Sequence, residues 1–287
     1  MPETYNYRDS LKSDHSDELI NTYFLRPLAG ILVYLLYNTP VTPNQVTIAS
    51  IVAGLTAAGF YAWSDSMVTG GILVTLKDLF DSADGQLARA KQQFSRKGRF
   101  LDSVGDILVS LAVFSGIGWT LSKSSGDPLF WVWSFLAFAG MTLRISYHVF
   151  YHTSYLHLKG AYQTSRLVEE ITEQDRAGDR VTLVFHQIFQ VLYGWQDRLM
   201  LRIDAWCRRG RMGEELRHRW YGDRIGLRLS GFLGIGTELF LLMGFSVVNQ
   251  LEWYFAFNIV IMNGILICSI LYRKLVLPWK WDTGNAD

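Results

Sequence analysis

The 287-residue sequence has only two cysteines and six prolines, and it has almost no excess of either charge. Cys207 and Cys268 lie far apart, so a disulfide framework of the kind that stabilises small secreted domains is not expected. A formal net charge of +1 gives no electrostatic reason to expect a nucleic-acid partner. The first 22 residues are polar and lack a central apolar block, so no cleavable signal peptide is predicted.

The sequence does contain long apolar runs. Hydrophobic residues make up 49% of the chain, and many are concentrated in runs that approach the roughly 20 residues a helix needs to cross a bilayer. Six runs are predicted to span the membrane: 45–63, 67–84, 100–121, 128–150, 229–247 and 253–275. We therefore predict an all-α, multi-pass integral membrane protein with six transmembrane helices.

Lysine and arginine are unevenly distributed between the two sides of the predicted membrane domain. With six spans, both termini share one side with the 85–99 loop and the 153–225 segment, which carry five and twelve basic residues. The turns on the opposite side carry only Lys123. Because loops rich in lysine and arginine stay in the cytoplasm, both termini, the 85–99 loop and the 153–225 segment are predicted to be cytoplasmic.

Composition divides the chain into four parts. Residues 1–44 are predicted to be a cytoplasmic N-terminus whose 16–37 stretch forms an amphipathic helix in the membrane interface, ended by the prolines of "NTPVTPN" (38–44). Residues 45–152 hold the first four spans, 153–225 form a helical cytoplasmic insertion, and 226–287 hold the last two spans and a cytoplasmic C-terminus.

The insertion contains one strongly periodic stretch, 181–208. Its apolar residues recur at helical spacing: Val184, Ile188, Val191, Trp195, Leu199, Ile203 and Trp206. This pattern predicts an amphipathic helix that covers the membrane domain. The membrane surface and a second subunit are the two alternatives for what its apolar face contacts.

Four aspartates stand within 26 residues beside this apolar sequence: Asp81, Asp84, Asp102 and Asp106. The first two share one helix face and the last two share a face of the next helix, so the two faces can present carboxylates to each other. Such closely spaced carboxylates repel each other unless a cation is present. All-oxygen ligands favour Mg²⁺ or Mn²⁺, and four carboxylates are enough to bridge two ions.

A solvated cluster of acids at helix ends is the alternative, but ionisable residues beside membrane spans are functional by default. Nearby Arg89 suits a phosphate oxygen, and three small residues, Gly85, Ala88 and Gly98, leave room for a bulky ligand near the backbone. The stretch therefore predicts a metal-dependent site for a phosphate-containing substrate.

Residues 81–106 resemble the signature of the CDP-alcohol phosphotransferase (CDP-alcohol phosphatidyltransferase) family, D-x2-D-G-x2-A-R-x8-G-x3-D-x3-D. All eight fixed positions are present: Asp81, Asp84, Gly85, Ala88, Arg89, Gly98, Asp102 and Asp106. The resemblance implies transfer of a substituted phosphate from a CDP-linked donor to an alcohol, with release of CMP, in phospholipid biosynthesis. It also implies a homodimer.

The resemblance further implies residue roles. Asp81, Asp84 and Asp102 would bind a pair of Mg²⁺ or Mn²⁺ ions, and Asp106 would contact the second ion and act as general base on the acceptor hydroxyl. The residues expected at the CDP-linked donor are Pro43, Asn44, Gly85, Ala88, Arg89, Ser95 and Gly98. Of these, Pro43 and Asn44 match the family less closely than the others.

Two kinds of donor remain open. Arg144 and His148 near the end of the fourth span, with Arg224 and Arg228 before the fifth, are candidate acceptor-binding residues that suit a phosphate-bearing alcohol and a CDP-diacylglycerol donor. Arg144 could instead be a helix-end arginine that snorkels to headgroups. We favour CDP-diacylglycerol.

Glu238, in "GIGTELF", is similar to a residue of choline and ethanolamine phosphotransferases, which use CDP-choline or CDP-ethanolamine and a lipid alcohol such as diacylglycerol. Glu238 is therefore a further candidate for acceptor binding. Those enzymes carry histidine where this chain has Ser103, so the match is partial. A protonated glutamate bonded to a neighbouring helix is the alternative.

Two other classes of protein use acids in membranes. An intramembrane prenyltransferase would need a second aspartate-rich motif, which the later spans lack. A divalent-metal transporter would need acids near the midplane, typically beside broken helices in repeated halves. Neither pattern is present, so both classes are disfavoured.

Overall fold

The computed structural model describes residues 5–11, 20–63, 66–160, 171, 179–209 and 213–278. In these ranges every regular element is helical, which confirms the predicted all-α fold. The α-helices are α1 (Tyr7–Ser10), α2 (Arg26–Tyr37), α3 (Pro43–Trp63), α4 (Met67–Ala90), α5 (Arg96–Ser125), α6 (Leu129–Leu158), α7 (Arg180–Cys207), α8 (Glu214–Tyr221), α9 (Arg224–Gly231), α10 (Ile235–Val247), α11 (Leu251–Ala256) and α12 (Asn263–Leu271). Three π-helical turns adjoin them: Asn21–Leu25, Phe257–Met262 and Tyr272–Val276.

Five helical stretches among the described residues are long and apolar enough to cross a membrane: Pro43–Trp63, Arg96–Ser125, Leu129–Leu158, Leu216–Val247 and Leu251–Val276. The chain is therefore a multi-pass membrane protein. The remaining predicted span, 67–84, is the first part of α4. It is not among the five because it combines apolar residues with Lys77, Asp78, Asp81 and Asp84, so six spans remain a prediction.

Local sequence signals set several helix ends. The Ser66 hydroxyl accepts the Thr69 N–H at the start of α4, and the Ser95 hydroxyl accepts the Gly98 N–H at 2.8 Å at the start of α5. Both are N-caps that pair backbone donors left unbonded in the first turn. Gly126 ends α5 with φ +72°, a left-handed conformation that suits glycine.

Helices α3, α4 and α5 pack tightly, and small residues allow this approach. A Cβ added at Gly116 of α5 would lie 2.7 Å from the Ala58 carbonyl oxygen of α3, so a side chain there would push the two helices apart. Near the same end, the Thr120 hydroxyl of α5 donates to the Tyr61 carbonyl of α3 at 2.5 Å. This three-helix core carries the aspartate motif.

One of the contacts between the insertion helix α7 and the bundle is a buried carboxylate. Asp204 is fully buried and accepts hydrogen bonds from Tyr151 of α6 (3.0 Å), from Trp220 Nε1 (2.7 Å) and Tyr221 (2.8 Å) of α8, and from Arg208 (2.8 Å). A buried charge is tolerated when several donors surround it. Asp204 thus holds α6, α7 and α8 in one arrangement.

One predicted span is divided in the structure. The span predicted over 229–247 consists of the end of α9 and all of α10, because the helix is interrupted at residues 232–234. Gly231 and Gly234 flank this turn, and glycine has low helix propensity. In the predicted helix 16–37, residues 16–19 lie outside the described residues, and residues from 20 onward are helical as predicted.

Most described residues of the predicted insertion 153–225 are helical. Helix α6 continues to Leu158, beyond the predicted end of its span at residue 150, and α7 and α8 follow. Residues 161–170, 172–178 and 210–212 of the insertion lie outside the described residues. The helix predicted over 181–208 is confirmed as α7.

Candidate active site

Three of the four predicted aspartates meet between α4 and α5. Asp81, Asp102 and Asp106 each offer a carboxylate oxygen, and these oxygens lie within 4.8 Å of one another. All three side chains are partly buried. The helical spacing of the motif produces this meeting, because the acids on each helix share one face and the two faces are packed together.

Lys77 of α4 supplies positive charge to this cluster. Its side chain is 3% exposed, and its ammonium forms an ion pair with Asp106 and lies 3.9 Å from Asp81. Its carbonyl oxygen also accepts a hydrogen bond from Ser50 of α3 at 2.9 Å. Lys77 therefore lies where a cation is needed to balance the carboxylates.

Asp84, the fourth predicted ligand, has a different neighbour. The Thr47 hydroxyl of α3 donates to Asp84 Oδ2 at 2.5 Å, and both side chains are buried. Asp84 does not belong to the group of three oxygens within 4.8 Å. Its predicted role as a metal ligand is therefore not tested by this geometry.

The residues of the cluster fit a hard divalent cation. Their donor atoms are carboxylate oxygens, which Mg²⁺ and Mn²⁺ prefer, and neither histidine nor cysteine belongs to the group. A buried ammonium, that of Lys77, already lies beside two of the three acids. The site can thus hold a cation, and its oxygens suit magnesium-type metals.

Three residues predicted to bind the donor lie together at the start of α3 and α5. The Ser95 hydroxyl is 3.5 Å from Asn44 Oδ1. A Cβ added at Gly98 would contact the same Asn44 oxygen and would lie 2.7 Å from the Ser95 hydroxyl. Gly98 therefore leaves the space in which Asn44 and Ser95 approach each other.

The other predicted donor-binding residues lie on α4 and at the start of α3. Gly85 faces Arg89, since an added Cβ would lie 3.5 Å from the guanidinium. Arg89 also donates to the Ser10 carbonyl at 2.6 Å, so it holds the N-terminal segment against α4. Ala88 is half-buried and Pro43, the first residue of α3, is buried.

The candidate acceptor-binding residues Arg144 and Glu238 bind each other. They form an ion pair of 2.7 Å and are 1% and 2% exposed. Arg144 also donates to the Asn263 side chain at 2.6 Å, and Glu238 accepts from Tyr254 at 2.5 Å and from the Asn258 amide. This pair joins α6 to α10 and to the π-helical turn Phe257–Met262.

The other candidate acceptor residues are placed differently. His148 is buried one helical turn after Arg144, with its ring 5.5 Å from that of His152. Arg224 and Arg228 are exposed on α9. The predicted role of all these residues in acceptor binding remains a prediction.

Sequence reasoning missed three residues of the site. Lys77 precedes Asp81 by one helical turn, a spacing that could have identified it. Thr47 and Tyr193 come from α3 and α7, and no local pattern connects them with the motif. The Tyr193 hydroxyl donates to the Ser103 carbonyl at 2.8 Å, and burial together with the Asp106 and Asp102 charges raises the pKa of Tyr193.

Comparison with known proteins gives several matches. The CDP-alcohol phosphatidyltransferase family profile matches residues 40–167. The bifunctional IPC transferase and DIPP synthase of Aquifex aeolicus is 31% identical over 156 residues, which are 54% of this chain and 33% of that protein. The phosphatidylinositol phosphate synthase of Mycobacteroides abscessus is 38% identical over 99 residues, 32% of this chain and 40% of that protein.

The chain thus spans about a third of the length of the Aquifex protein. It covers more of a smaller relative, the archaetidylinositol phosphate synthase of Pyrococcus horikoshii, which is 30% identical over 145 residues, 50% of this chain and 68% of that protein. The matched profile contains the whole aspartate motif and ends before α7. By its motif and these matches, the chain belongs to the CDP-alcohol phosphatidyltransferase family.

Proposed function

We propose that this protein is a membrane enzyme of phospholipid biosynthesis that transfers a substituted phosphate from a CDP-linked donor to an alcohol and releases CMP. One observation carries the proposal. Asp81, Asp102 and Asp106, which occupy three fixed positions of the family signature, place carboxylate oxygens within 4.8 Å of one another. This geometry suits a cation that binds a diphosphate.

In the proposed reaction, the acceptor oxygen forms a bond to the donor phosphorus while the bond to CMP breaks. Asp81, Asp84, Asp102 and Asp106 would hold two divalent ions, which when bound would neutralise the charge that builds up on the departing CMP. Asp106 accepts the proton of the acceptor hydroxyl. Asn44, Ser95 and Gly98 bind the donor at the adjacent helix ends.

The proposal includes six spans, with α4 crossing the membrane. Two contacts at opposite ends support this. Asn44 and Ser95, at the starts of α3 and α5, are 3.5 Å apart, and Tyr61 and Thr120 are hydrogen-bonded near the other end. Helices α3 and α5 therefore run parallel, and the 24-residue α4 between them returns over about 36 Å, longer than the roughly 30 Å hydrocarbon core.

We further propose that the active site and both termini are cytoplasmic and that the four-part division into 1–44, 45–152, 153–225 and 226–287 holds. The basic residues of the 85–99 loop and of the insertion support this orientation. Helix α2 supports an interfacial N-terminal helix, since Ile31, Tyr34 and Leu35 expose more than half of their surface. Homodimer formation is proposed from the family resemblance alone.

The favoured donor is CDP-diacylglycerol and the favoured acceptor is a polar alcohol that carries a phosphate. Two of the similar proteins are named for making an inositol phosphate lipid, which supports an acceptor of this kind. The exposed Arg224 and Arg228 remain candidates to bind the acceptor phosphate. Because Arg144 is already paired with Glu238, these two arginines become the stronger candidates.

The test is CMP release by the purified chain in phospholipid vesicles with Mg²⁺ or Mn²⁺. Each donor, CDP-diacylglycerol or CDP-ethanolamine, is combined with inositol phosphate, glycerol phosphate, inositol or diacylglycerol. We expect CMP only when CDP-diacylglycerol meets a phosphate-bearing alcohol. Release only from CDP-ethanolamine with diacylglycerol would reverse the choice of donor. No release in any combination by a protein that binds Mn²⁺ would contradict the proposed function.

Replacement of Lys77 by methionine tests whether its ammonium stabilises the carboxylates. The change removes the buried partner of Asp106, and we expect the metal-free protein to lose about 2 kcal/mol of stability, because Asp106 keeps some contact with water. Mn²⁺ should restore much of this loss and should bind the variant more tightly, since no ammonium competes with it. Thermal unfolding with and without Mn²⁺ and direct Mn²⁺ titration measure both effects.

Lys159→Met is the matched control, because it removes an exposed lysine at the end of α6. It should change neither melting temperature nor Mn²⁺ affinity. If Lys77→Met binds Mn²⁺ no more tightly than the parent protein, the ammonium does not occupy space that the metal needs.

A further inference from the structure

One face of helix α7 packs against the membrane bundle along most of the helix. His186 is stacked on Phe100 of α5 at 4.5 Å, and the Gln196 side chain accepts a hydrogen bond from Ser146 of α6 at 2.5 Å. Further along, Asp204 accepts its hydrogen bonds from α6 and α8. These contacts recur along one side of α7 and fix its rotation about its own axis.

The fixed rotation turns an apolar stripe away from the bundle. The stripe follows the helical repeat and consists of Val184, Ile188, Val191, Trp195 and Trp206. Exposed Arg202 lies on the same side between the two tryptophans, and the Lys274 ammonium of the final helical stretch lies 4.0 Å from the centre of the Trp206 ring. These side chains are 52%, 38%, 76%, 49% and 55% exposed, respectively. Gln187 and Ala205 are also exposed but lie to one side of the stripe, on a third face. Helix α7 thus has a bundle face, an apolar face and a more polar face.

Helix α7 also crosses three membrane helices on the same side of the bundle. It contacts Phe100 within the first two turns of α5 and Tyr151 within the last three turns of α6. Its Trp206 carbonyl accepts a hydrogen bond at 2.6 Å from Lys274, in the last turn of the final helical stretch. Arg273 lies 3.6 Å from the centre of the Tyr151 ring, which places the ends of α6 and of that stretch on one side.

A helix of 28 residues is about 42 Å long, longer than a membrane core is thick. Because α7 meets all three helices near one side of the membrane, it runs along the membrane rather than across it. The depth of these contacts, within about three turns of the helix ends, corresponds to the boundary between headgroups and acyl chains.

We propose that α7 is an in-plane membrane helix, whose stripe of Val184, Ile188, Val191, Trp195 and Trp206 is inserted into the lipid bilayer. The bilayer is the occupant because the membrane helices that α7 contacts also expose apolar side chains. Leu108 of α5, Val149 of α6 and Leu275 of the final stretch are apolar and at least half exposed on the helices that α7 contacts. Tryptophan at two stripe positions is typical of a membrane interface.

The inference links the bilayer to the active site. The Tyr193 hydroxyl of α7 donates to the carbonyl of Ser103, the residue after Asp102. About one turn earlier on α5, Phe100 stacks on His186 of α7. Insertion of the outer face of α7 into lipid would therefore also stabilise the contact of its inner face with the turn of α5 that contains Asp102. Helix α7 lies outside residues 40–167, which match the family profile.

The experiment places a nitroxide spin label at Val184→Cys or Val191→Cys, and at the matched control positions Gln187→Cys and Ala205→Cys. The full-length protein is reconstituted in vesicles of phosphatidylcholine with a minority of phosphatidylglycerol. Cys268 is replaced by alanine. Cys207 is retained, since it is fully buried and burial raises the pKa of its thiol to about 11, which leaves little reactive thiolate. An unchanged melting temperature shows that each variant is folded.

We expect labels at 184 and 191 to collide severalfold more often with dissolved oxygen than with a water-soluble nickel chelate, and labels at 187 and 205 to show the opposite ratio. Higher access of the nickel chelate at 184 and 191 would overturn the proposal, because the stripe would then face water. Exclusion of both reagents, or magnetic broadening between labels of two chains, would also overturn it, because protein would then cover the stripe.

Discussion

Replacement of Asp102 by asparagine is expected to reduce CMP release by at least about 10²-fold, the scale of removing one essential charge-stabilising group from an active site. Asp102 shares the narrow space between α4 and α5 with Asp81 and Asp106, and their oxygens lie within 4.8 Å. Asparagine has nearly the same shape but lacks the charge. The variant therefore keeps the packing of α5 and loses a ligand that a divalent cation requires.

Stability should change in the opposite direction to activity. In the metal-free protein, Asp102→Asn removes one of three neighbouring carboxylates that repel each other, so its melting temperature should be equal to or higher than that of the parent. Addition of Mn²⁺ should raise the melting temperature of the parent and much less that of the variant. CMP release and thermal unfolding with and without Mn²⁺ provide these measurements, and Asp81→Asn should behave in the same way.

Asp127→Asn is the matched control. It makes the same chemical change just beyond the other end of α5, where Asp127 is exposed and its Oδ1 accepts the Leu129 N–H at 2.9 Å. Asparagine can keep that hydrogen bond, so neither activity nor the response to Mn²⁺ should change. If the Asp102→Asn protein retains most of its activity, Asp102 is not a ligand of the metal.

Features with a short-range period could be predicted from the sequence. The helix faces that carry Asp81 and Asp102 follow from fixed spacing, and their meeting follows from a five-residue loop between two apolar helices. The same logic predicts the amphipathic helix over 181–208. It does not predict the orientation of that helix, because periodicity identifies an apolar face but not whether protein or lipid covers that face.

Contacts between distant parts of the chain could not be predicted in this way. Thr47 reaches Asp84 across 37 residues, and Tyr193 reaches Ser103 across 90. Neighbouring basic residues make Arg144 a candidate for acceptor binding, and a resemblance to choline and ethanolamine phosphotransferases does the same for Glu238. The fold instead pairs these two residues with each other across 94 residues. A charge in an apolar span indicates that a partner exists, but only the packing of the spans identifies it.

Replacement of Arg144 by methionine is expected to destabilise the protein by about 3–5 kcal/mol, the cost of leaving one member of a buried ion pair alone. Both members are almost completely buried, and Glu238 would keep only the neutral donors Tyr254 and Asn258. Adding Glu238→Gln to Arg144→Met should recover much of the loss, since it removes the uncompensated charge. Thermal or denaturant unfolding in micelles measures the three variants.

Arg228→Met makes the same change at an exposed position of α9, and its effect on stability should be within about 0.5 kcal/mol. Comparison of the two variants therefore distinguishes an effect on stability from an effect on substrate binding. If Arg144 bound the acceptor, Arg144→Met would raise the KM for a phosphate-bearing alcohol at unchanged stability. We expect instead that a raised KM without loss of stability occurs for Arg228→Met, because a buried guanidinium with a carboxylate partner has little capacity left for a soluble phosphate.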